Sequence, residues 1–211
     1  MKTKLLLIGG GGHCQSCIDV IESTADYEIV GILDKAEKVG QLISGYPIVG
    51  TDADMDKYAE QGCSFLVTVG QLKSSAVRAA LFDRLQAMGA LLPHLVASTA
   101  YVSKHAQLMP GCIVMHRAVV NAGAVIGANS IINTCANIEH QAIIGTCCHI
   151  STGAMINGAC RIGDHSFIGS GATLINGVTI PAHTVIGAGA VVLRSLNERG
   201  VYAGNPIKKI T

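Results

Sequence analysis

A small Rossmann-like α/β domain followed by a β-solenoid, a left-handed parallel β-helix of hexapeptide repeats, is the fold class that this 211-residue chain predicts. Three observations carry that reading. An aliphatic residue recurs at every sixth position from Val96 to Val192. A small residue stands two positions before almost every one of them. The preceding residues instead alternate short apolar runs with helical spacings around a glycine-rich turn. The boundary falls between 1–92 and 93–211.

Lys4–Ile8 is a short apolar run of the kind buried in a parallel sheet, and it ends in the turn Gly9-Gly-Gly-Gly12-His13. Cys17, Ile18 and Ile21 then mark one face of a helix reaching about Ser23. Glu28–Leu33, with Asp34 at its end, and Ser64–Val69 read as further strands. A helix over about Ser74–Met88 carries Val77, Leu81 and Leu85, and Leu91–Val96 forms another apolar run. Strands alternating with helices argue for a parallel nucleotide-binding sheet. Gly9-x-Gly11 opens a dinucleotide fingerprint, but Cys14 takes the third glycine position. Backbone amides at the helix start can still cradle a diphosphate, with Asp34 near a ribose or sugar hydroxyl. Nucleotide binding without nicotinamide is therefore the expectation, and a merely structural glycine turn is the alternative.

The second half repeats in sixes. Ile126, Ile132, Ile138, Ile144, Ile150, Ile156, Ile162 and Ile168 form an unbroken aliphatic series, and Ala136, Ala142, Cys148, Ala154 and Cys160 belong to the small series before it. A period of six matches neither a helix nor a long alternating strand. It matches short strands on the three flat faces of a prism, about five coils between residues 95 and 194. Cys112, Cys148 and Cys160 fall in small interior slots and read as packing thiols. Glycines directly after aliphatic positions, at Gly127, Gly145, Gly163, Gly169 and Gly187, are expected where the backbone turns a corner. Aliphatic stacks also account for a composition 49% hydrophobic but only 4% aromatic and without tryptophan.

Lys and Arg number 15 against 14 acidic residues, with no concentration of positive charge, which argues against a nucleic acid partner. The opening apolar stretch is too short for a signal peptide, and no run approaches the roughly 18 residues of a membrane span. With eight cysteines read as reduced thiols, the expectation is a cytoplasmic protein. Cys14-x-x-Cys17 sits at a helix start without a second pair, so a redox or metal role is disfavoured.

The segment Asn133-Thr-Cys-Ala-Asn-Ile-Glu-His140 places a histidine two residues after an inward-pointing aliphatic, so His140 projects from the surface. Solenoids of this kind pack side by side as trimers, which puts an exposed histidine near a face edge into an intersubunit groove. With the glycine turn ending in His13, Asn133 before Ile-Glu-His140, His149 nine residues on and the closing Val201-Tyr-Ala-Gly-Asn-Pro206, the whole chain resembles the bacterial sugar acetyltransferase family of PglD/NeuD type. That family comprises UDP-4-amino-sugar N-acetyltransferases of the bacillosamine and perosamine kind and sialic acid O-acetyltransferases.

The resemblance implies acetyl-CoA as co-substrate, no metal, a homotrimer and a nucleotide-sugar acceptor. It makes His140 the general base, with Glu139 beside it, and Gly158 the amide that stabilises the oxyanion. Asn133, His149, Gly158, Ser170 and Ala188 would line the coenzyme. Gly11, Gly12, His13, Asp34, Lys35 and Gly70 would hold the nucleotide-sugar. Gln141 departs from the acid that often follows the base, so Glu139 takes that role, the base is weaker or the acceptor is a hydroxyl. A γ-type carbonic anhydrase needs three converging imidazoles, and His116, His140, His149, His165 and His183 offer no close pair at ligand spacing. A sugar nucleotidyltransferase needs a basic loop after the first strand. A non-catalytic scaffold explains the repeat but neither Glu139-His140 nor the glycine turn.

Overall fold

The computed structural model describes residues 2–72 and 74–210. Strand β1 (Thr3–Ile8) is central because it is apolar on both faces, with Leu5, Leu6 and Leu7 fully buried. It pairs in parallel with β2 (Tyr27–Leu33) and β5 (Ser64–Val67). Helix α1 (Gly12–Glu22) crosses between the first two and buries Cys14, Cys17, Ile18 and Ile21. The hairpin β3 (Leu42–Ile43) and β4 (Tyr46–Gly50) completes one edge, giving the order β3-β4-β2-β1-β5 with only β3 antiparallel. Its turn uses positive φ at Ser44 and Gly45, the left-handed geometry of a tight hairpin. A short helix α2 (Met55–Glu60) leads into β5.

Helix α3 (Ala76–Ala87) buries Arg78, Phe82 and Leu85. The expected stripe of Val77, Leu81 and Leu85 is thus rotated, because a buried arginine rather than an aliphatic faces the core. The Leu91–Val96 run also divides. Leu91 bridges to Ser64 in the first domain, whereas β6 (Leu95–Val96) is already the first rung of the solenoid.

Two-residue strands then recur every six residues up to β22 (Val191–Val192). Each pairs with the strand 18 residues away, as β13 (Asn137–Ile138) does with β10 (Val119–Val120) and β16 (Met155–Ile156). Three sheets result: a parallel one of six strands containing β13, a parallel one of five, and one of eight that includes β23 (Val201–Ala203) and ends in the antiparallel β24 (Lys208–Lys209). Ile126, Ile132, Ile138, Ile150 and Ile156 are fully buried in the prism, as are Ala124, Ala136, Cys112, Cys148 and Cys160. The predicted interior and its register are therefore both realised.

The corners work differently from the expectation. The left-handed residue lies three positions after the aliphatic, at Arg117, Asn129, Cys135, Gln141, Cys147, Ala159, His165 and His183 as well as at glycines such as Gly153 and Gly171. Gly127, Gly145 and Gly163, directly after the aliphatic, have no such φ. Their constraint is contact between coils. A Cβ on Gly127 would stand 2.5 Å from the Gly145 carbonyl oxygen, and one on Gly145 would stand 2.7 Å from the Asp164 nitrogen.

The two domains share a hydrophobic cluster in which Leu5, Leu7 and Ile18 meet Leu95, Ile113 and Ile131. Arg78 pins the junction. Its guanidinium donates to the Val67, Val69 and Asn129 carbonyls at 2.5, 3.0 and 2.9 Å, and Asn129 Nδ2 returns a bond to the Arg78 carbonyl at 3.2 Å. Burial lowers the guanidinium to about 10, still charged at neutral pH.

The contact explanation for the glycines gives an expectation. Gly163→Ala, whose Cβ would collide with the Ala182 backbone nitrogen, should lose about 1–3 kcal/mol of stability. Its urea midpoint should fall below that of the wild type, and an unchanged midpoint would contradict the assigned cause.

Candidate functional site

The C-terminal ends of β1, β2 and β5 open into a cavity of about 990 Å³ whose far wall belongs to the solenoid. Here the strand order reverses about β1, the place where α/β sheets receive ligands. Gly11, Gly12, His13, Asp34, Lys35 and Gly70 all line this cavity. At the α1 N-terminus Gly11 is the cap and supplies no side-chain bond; the Cys14 N–H turns back to the Gly11 carbonyl at 3.0 Å, and the Gly12 and His13 amides are left as donors suited to an anion. Gly9 takes φ of 101°, and a Cβ there would stand 2.5 Å from Val69 Cγ2, so glycine permits the close loop.

Asp34 braces that loop. Its Oδ2 accepts from Gly10 N–H at 2.8 Å and Lys38 Nζ at 2.9 Å, and its Oδ1 accepts from Lys35 N–H at 2.7 Å. Burial alone would raise Asp34, but these donors and the Lys38 charge outweigh it and hold the carboxyl below its ordinary range. Little accepting capacity remains for the sugar hydroxyl that sequence reasoning assigned to it.

The solenoid contributes Asn133 and His149 to the same cavity. His149 is buried, with Nδ1 2.6 Å from the Gln71 carbonyl and Nε2 3.0 Å from Asn133 Nδ2. Only the neutral Nδ1–H tautomer satisfies a carbonyl on one side and an amide N–H on the other. Burial pushes His149 down to about 4, against the pull of the Gln71 carbonyl and with help from the Arg78 charge. His13, whose ring centroid lies 6.4 Å from that of His149, is lowered to about 3 by burial, Arg78 and His149. Both imidazoles are neutral at physiological pH.

His140 lies elsewhere. Asn133 precedes β13 and His140 follows it, so the six-stranded sheet separates their corners, and His140 is not in the cavity wall. The exposed His140 ring covers Gly158, since a Cβ on that glycine would stand 2.5 Å from both Cε1 and Nε2. The Gly158 carbonyl accepts from Gly177 N–H at 2.9 Å, while among the described residues its own N–H has no partner. Glu139 accepts from Asn137 and Asn121, each at 3.0 Å. The Asn137 bond, followed by the Asn121 bond, the His140 N–H and the His140 charge, outweighs burial and lowers the Glu139 carboxyl. Gln141 is the left-handed corner residue and packs against Gly123.

Ser170, bonded to Ser151 at 2.9 Å, and Ala188 stand exposed on the Asn133 corner. The expected coenzyme residues therefore divide between two corners: Asn133, Ser170 and Ala188 on one, Gly158 with His140 and Glu139 on the other. Sequence reasoning missed Lys38, Thr51, Asp52 and Gln71 in the cavity wall and Arg78 behind it. Lys38, four residues after Asp34, carried a readable ion-pair spacing; the others carried none.

A glycine-loop cavity joined to a hexapeptide-repeat solenoid, with an imidazole over an unpartnered amide, defines a two-domain acyltransferase of the hexapeptide class. The family model of the PglD N-terminal domain matches residues 4–85, and that of the bacterial transferase hexapeptide (six repeats) matches residues 159–194. The chain is similar to the acetyltransferase domain of PglB from Neisseria gonorrhoeae, at 31% identity over 99% of this chain and 100% of that one, with a TM-score of 0.92. That domain in complex with acetyl coenzyme A matches at 31% identity over 100% of both chains, with a TM-score of 0.93. A histidine-to-asparagine variant of perosamine N-acetyltransferase from Caulobacter crescentus, in complex with CoA and GDP-perosamine, matches at 32% identity over 99% and 97%, with a TM-score of 0.92. Among curated protein sequences none matches significantly. The chain belongs to the PglD-type family of sugar acetyltransferases. Among the described residues no helix is long and apolar enough to cross a membrane.

The depressed histidines set a pH dependence. Between 6.5 and about 4 the unfolded chain binds more protons than the folded one, so stability is full above 6.5 and falls as pH falls. The thermal midpoint should drop by roughly 3 °C or more from pH 7.5 to pH 5. His149→Gln, which cannot titrate, should drop less, and equal slopes would contradict this origin.

Proposed function

We propose that this chain transfers the acetyl group of acetyl-CoA to the 4-amino group of a UDP-linked amino sugar, directly and without an acyl-enzyme. The observation that carries the reading is the His140 ring lying over Gly158, whose N–H has no partner among the described residues. Acyl transfer to an amine needs a proton acceptor and an oxyanion donor within one reacting group's reach, and this pairing supplies both. The acceptor nitrogen attacks the thioester carbonyl while His140 takes its proton. The oxyanion receives the Gly158 N–H, then the C–S bond breaks and the coenzyme A thiolate recovers the proton from the imidazolium. Glu139, held ionised by its asparagine donors, supplies the countercharge that Gln141 cannot.

The nucleotide occupies the glycine-loop cavity, with its diphosphate at the α1 N-terminus beside Lys35. Acetyl-CoA runs past Asn133, His149, Ser170 and Ala188. Because one chain sets the cavity and His140 on opposite edges of a sheet, the working form is a homotrimer in which neighbouring edges face one another. Tyr101, Met155, Ile175 and Leu193, exposed apolar residues on that sheet and its His140 edge, fit such an interface. All eight cysteines are free thiols, which fits the cytoplasmic setting we propose.

Thiol release from acetyl-CoA, measured with a UDP-4-amino-sugar, GDP-perosamine and sialic acid in parallel, should be greatest with the UDP-amino-sugar. His140→Ala should keep the assembly and lose at least about 10²-fold in kcat. Release only with sialic acid would move the assignment to O-acetylation, and undiminished turnover in His140→Ala would overturn the mechanism.

A further inference from the structure

One polar group in the cavity wall lacks a partner that the nucleotide reading does not explain. Gln71 follows β5 and is 2% exposed. Its backbone carbonyl holds His149 Nδ1 at 2.6 Å, and its side-chain Nε2 donates to the Ser166 carbonyl at 3.4 Å. That donation fixes the amide's orientation, because the flipped form would turn Oε1 against the Ser166 oxygen. Oε1 is then left buried and without a donor among the described residues. Leaving a buried acceptor without a donor is costly, so its presence in a cavity wall points to a donor on a ligand. His13 Nε2, in the same wall, is likewise buried and unpartnered.

The strand order says which part of the ligand reaches Gln71. Lys38 and Asp52, associated with β2 and β4, line one end of the cavity; the glycine loop after β1 lies in the middle; Gln71, after β5, stands at the other end against the solenoid. A nucleoside diphosphate-sugar with its diphosphate on the glycine loop, and its nucleoside toward β2 as in other sheets of this kind, directs its sugar to Gln71. Resting on the proposed function, we infer that Gln71 Oε1 is a specificity-determining acceptor for an O–H or N–H donor on the sugar ring, with His13 Nε2 as a second polar contact to the same sugar. Gln71 then reads the sugar and also holds, through its backbone, the histidine that joins the cavity to the solenoid.

The test compares ligands that differ only in the sugar. In calorimetric titrations of the full chain with UDP, GDP, a UDP-4-amino-sugar and GDP-perosamine, Gln71→Met should weaken whichever sugar-bearing ligand binds by roughly 5- to 150-fold. Its affinity for the matching free diphosphate should stay within about 2-fold. Equal weakening of both, or no weakening, would overturn the inference. A folding defect in the variant is bypassed in the wild type, where the Gln71 side-chain amide resonance should shift with the nucleotide-sugar and not with the free diphosphate. A shift with neither, or the same shift with both, would overturn it. If the wild type binds no nucleotide at all, the nucleotide reading fails, which is a result distinct from nucleotide binding that ignores Gln71.

Discussion

Backbone pairing at an interval of 18 residues is the constraint on which the rest of this molecule depends. Each coil donates to the next, as Asn137 N–H does to the Ala154 carbonyl and Glu139 N–H to that of Ile156, so a residue's chemistry is set by its place in the sixfold pattern. Aliphatics stack inward and the position three further on takes left-handed φ. The amide two positions after the aliphatic lies outside this ladder and is taken by side chains where they reach it, by the preceding asparagine at Ala122 and Thr134 and by Asp164 of the next coil at Thr146. His140 and Gly158 occupy that same corner slot on successive coils. Glycine at 158 makes room for the ring and leaves an amide free at the same place. Side chain and amide are thereby held on a rigid rung rather than a loop, the better support for a geometry that must be kept to fractions of an ångström.

The second organising element is the joint between domains. A buried arginine without a carboxylate partner is costly, and carbonyls from both domains offset the cost for Arg78. The uncancelled charge also reaches the cavity, where it helps keep His13 and His149 neutral. Neutral imidazoles leave the glycine-loop amides and Lys35 as the groups that meet an anion, and they make His149 a bridge with one defined tautomer. Packing and electrostatics meet at Arg78: the residue that joins the solenoid to the sheet also adds to the burial that keeps the imidazoles of the wall between them neutral.

Much of this was legible in the residues because the signals repeat. A sixfold aliphatic series leaves one register, and the interior positions of Cys112, Cys148 and Cys160 followed from it. The glycine loop and Asp34 were legible because strand, turn and acid stand at fixed separations. What was missed carries no period. Ser64 and Leu91 meet through a single bridge, and the β3–β4 hairpin consists of a two-residue and a five-residue strand. The α3 stripe was misread because Arg78 counts as polar in any pattern, though its carbonyl partners let it be buried. Gly127, Gly145 and Gly163 were recognised as required for the wrong reason: proximity of the next coil, a contact 18 residues away, sets them rather than local φ. Gln71 gave no signal, since an orphaned oxygen exists only once Ser166 is placed beside it.

The division of the expected site between two corners also bears on how the domains cooperate. Within our proposal, a reacting group must pass from the cavity edge at Asn133 to the edge at His140, and one chain sets the width of a sheet between them. Flexing the joint does not remove that separation, because both edges belong to the same solenoid and its ladders do not bend. Within our proposal, association of identical chains brings the two edges together while leaving each rigid. Exposed Tyr101, Met155 and Leu193 then have a physical reason to lie on the intervening sheet and its border. On that reading, the same rigid coil that holds His140 against Gly158 also calls for a second copy.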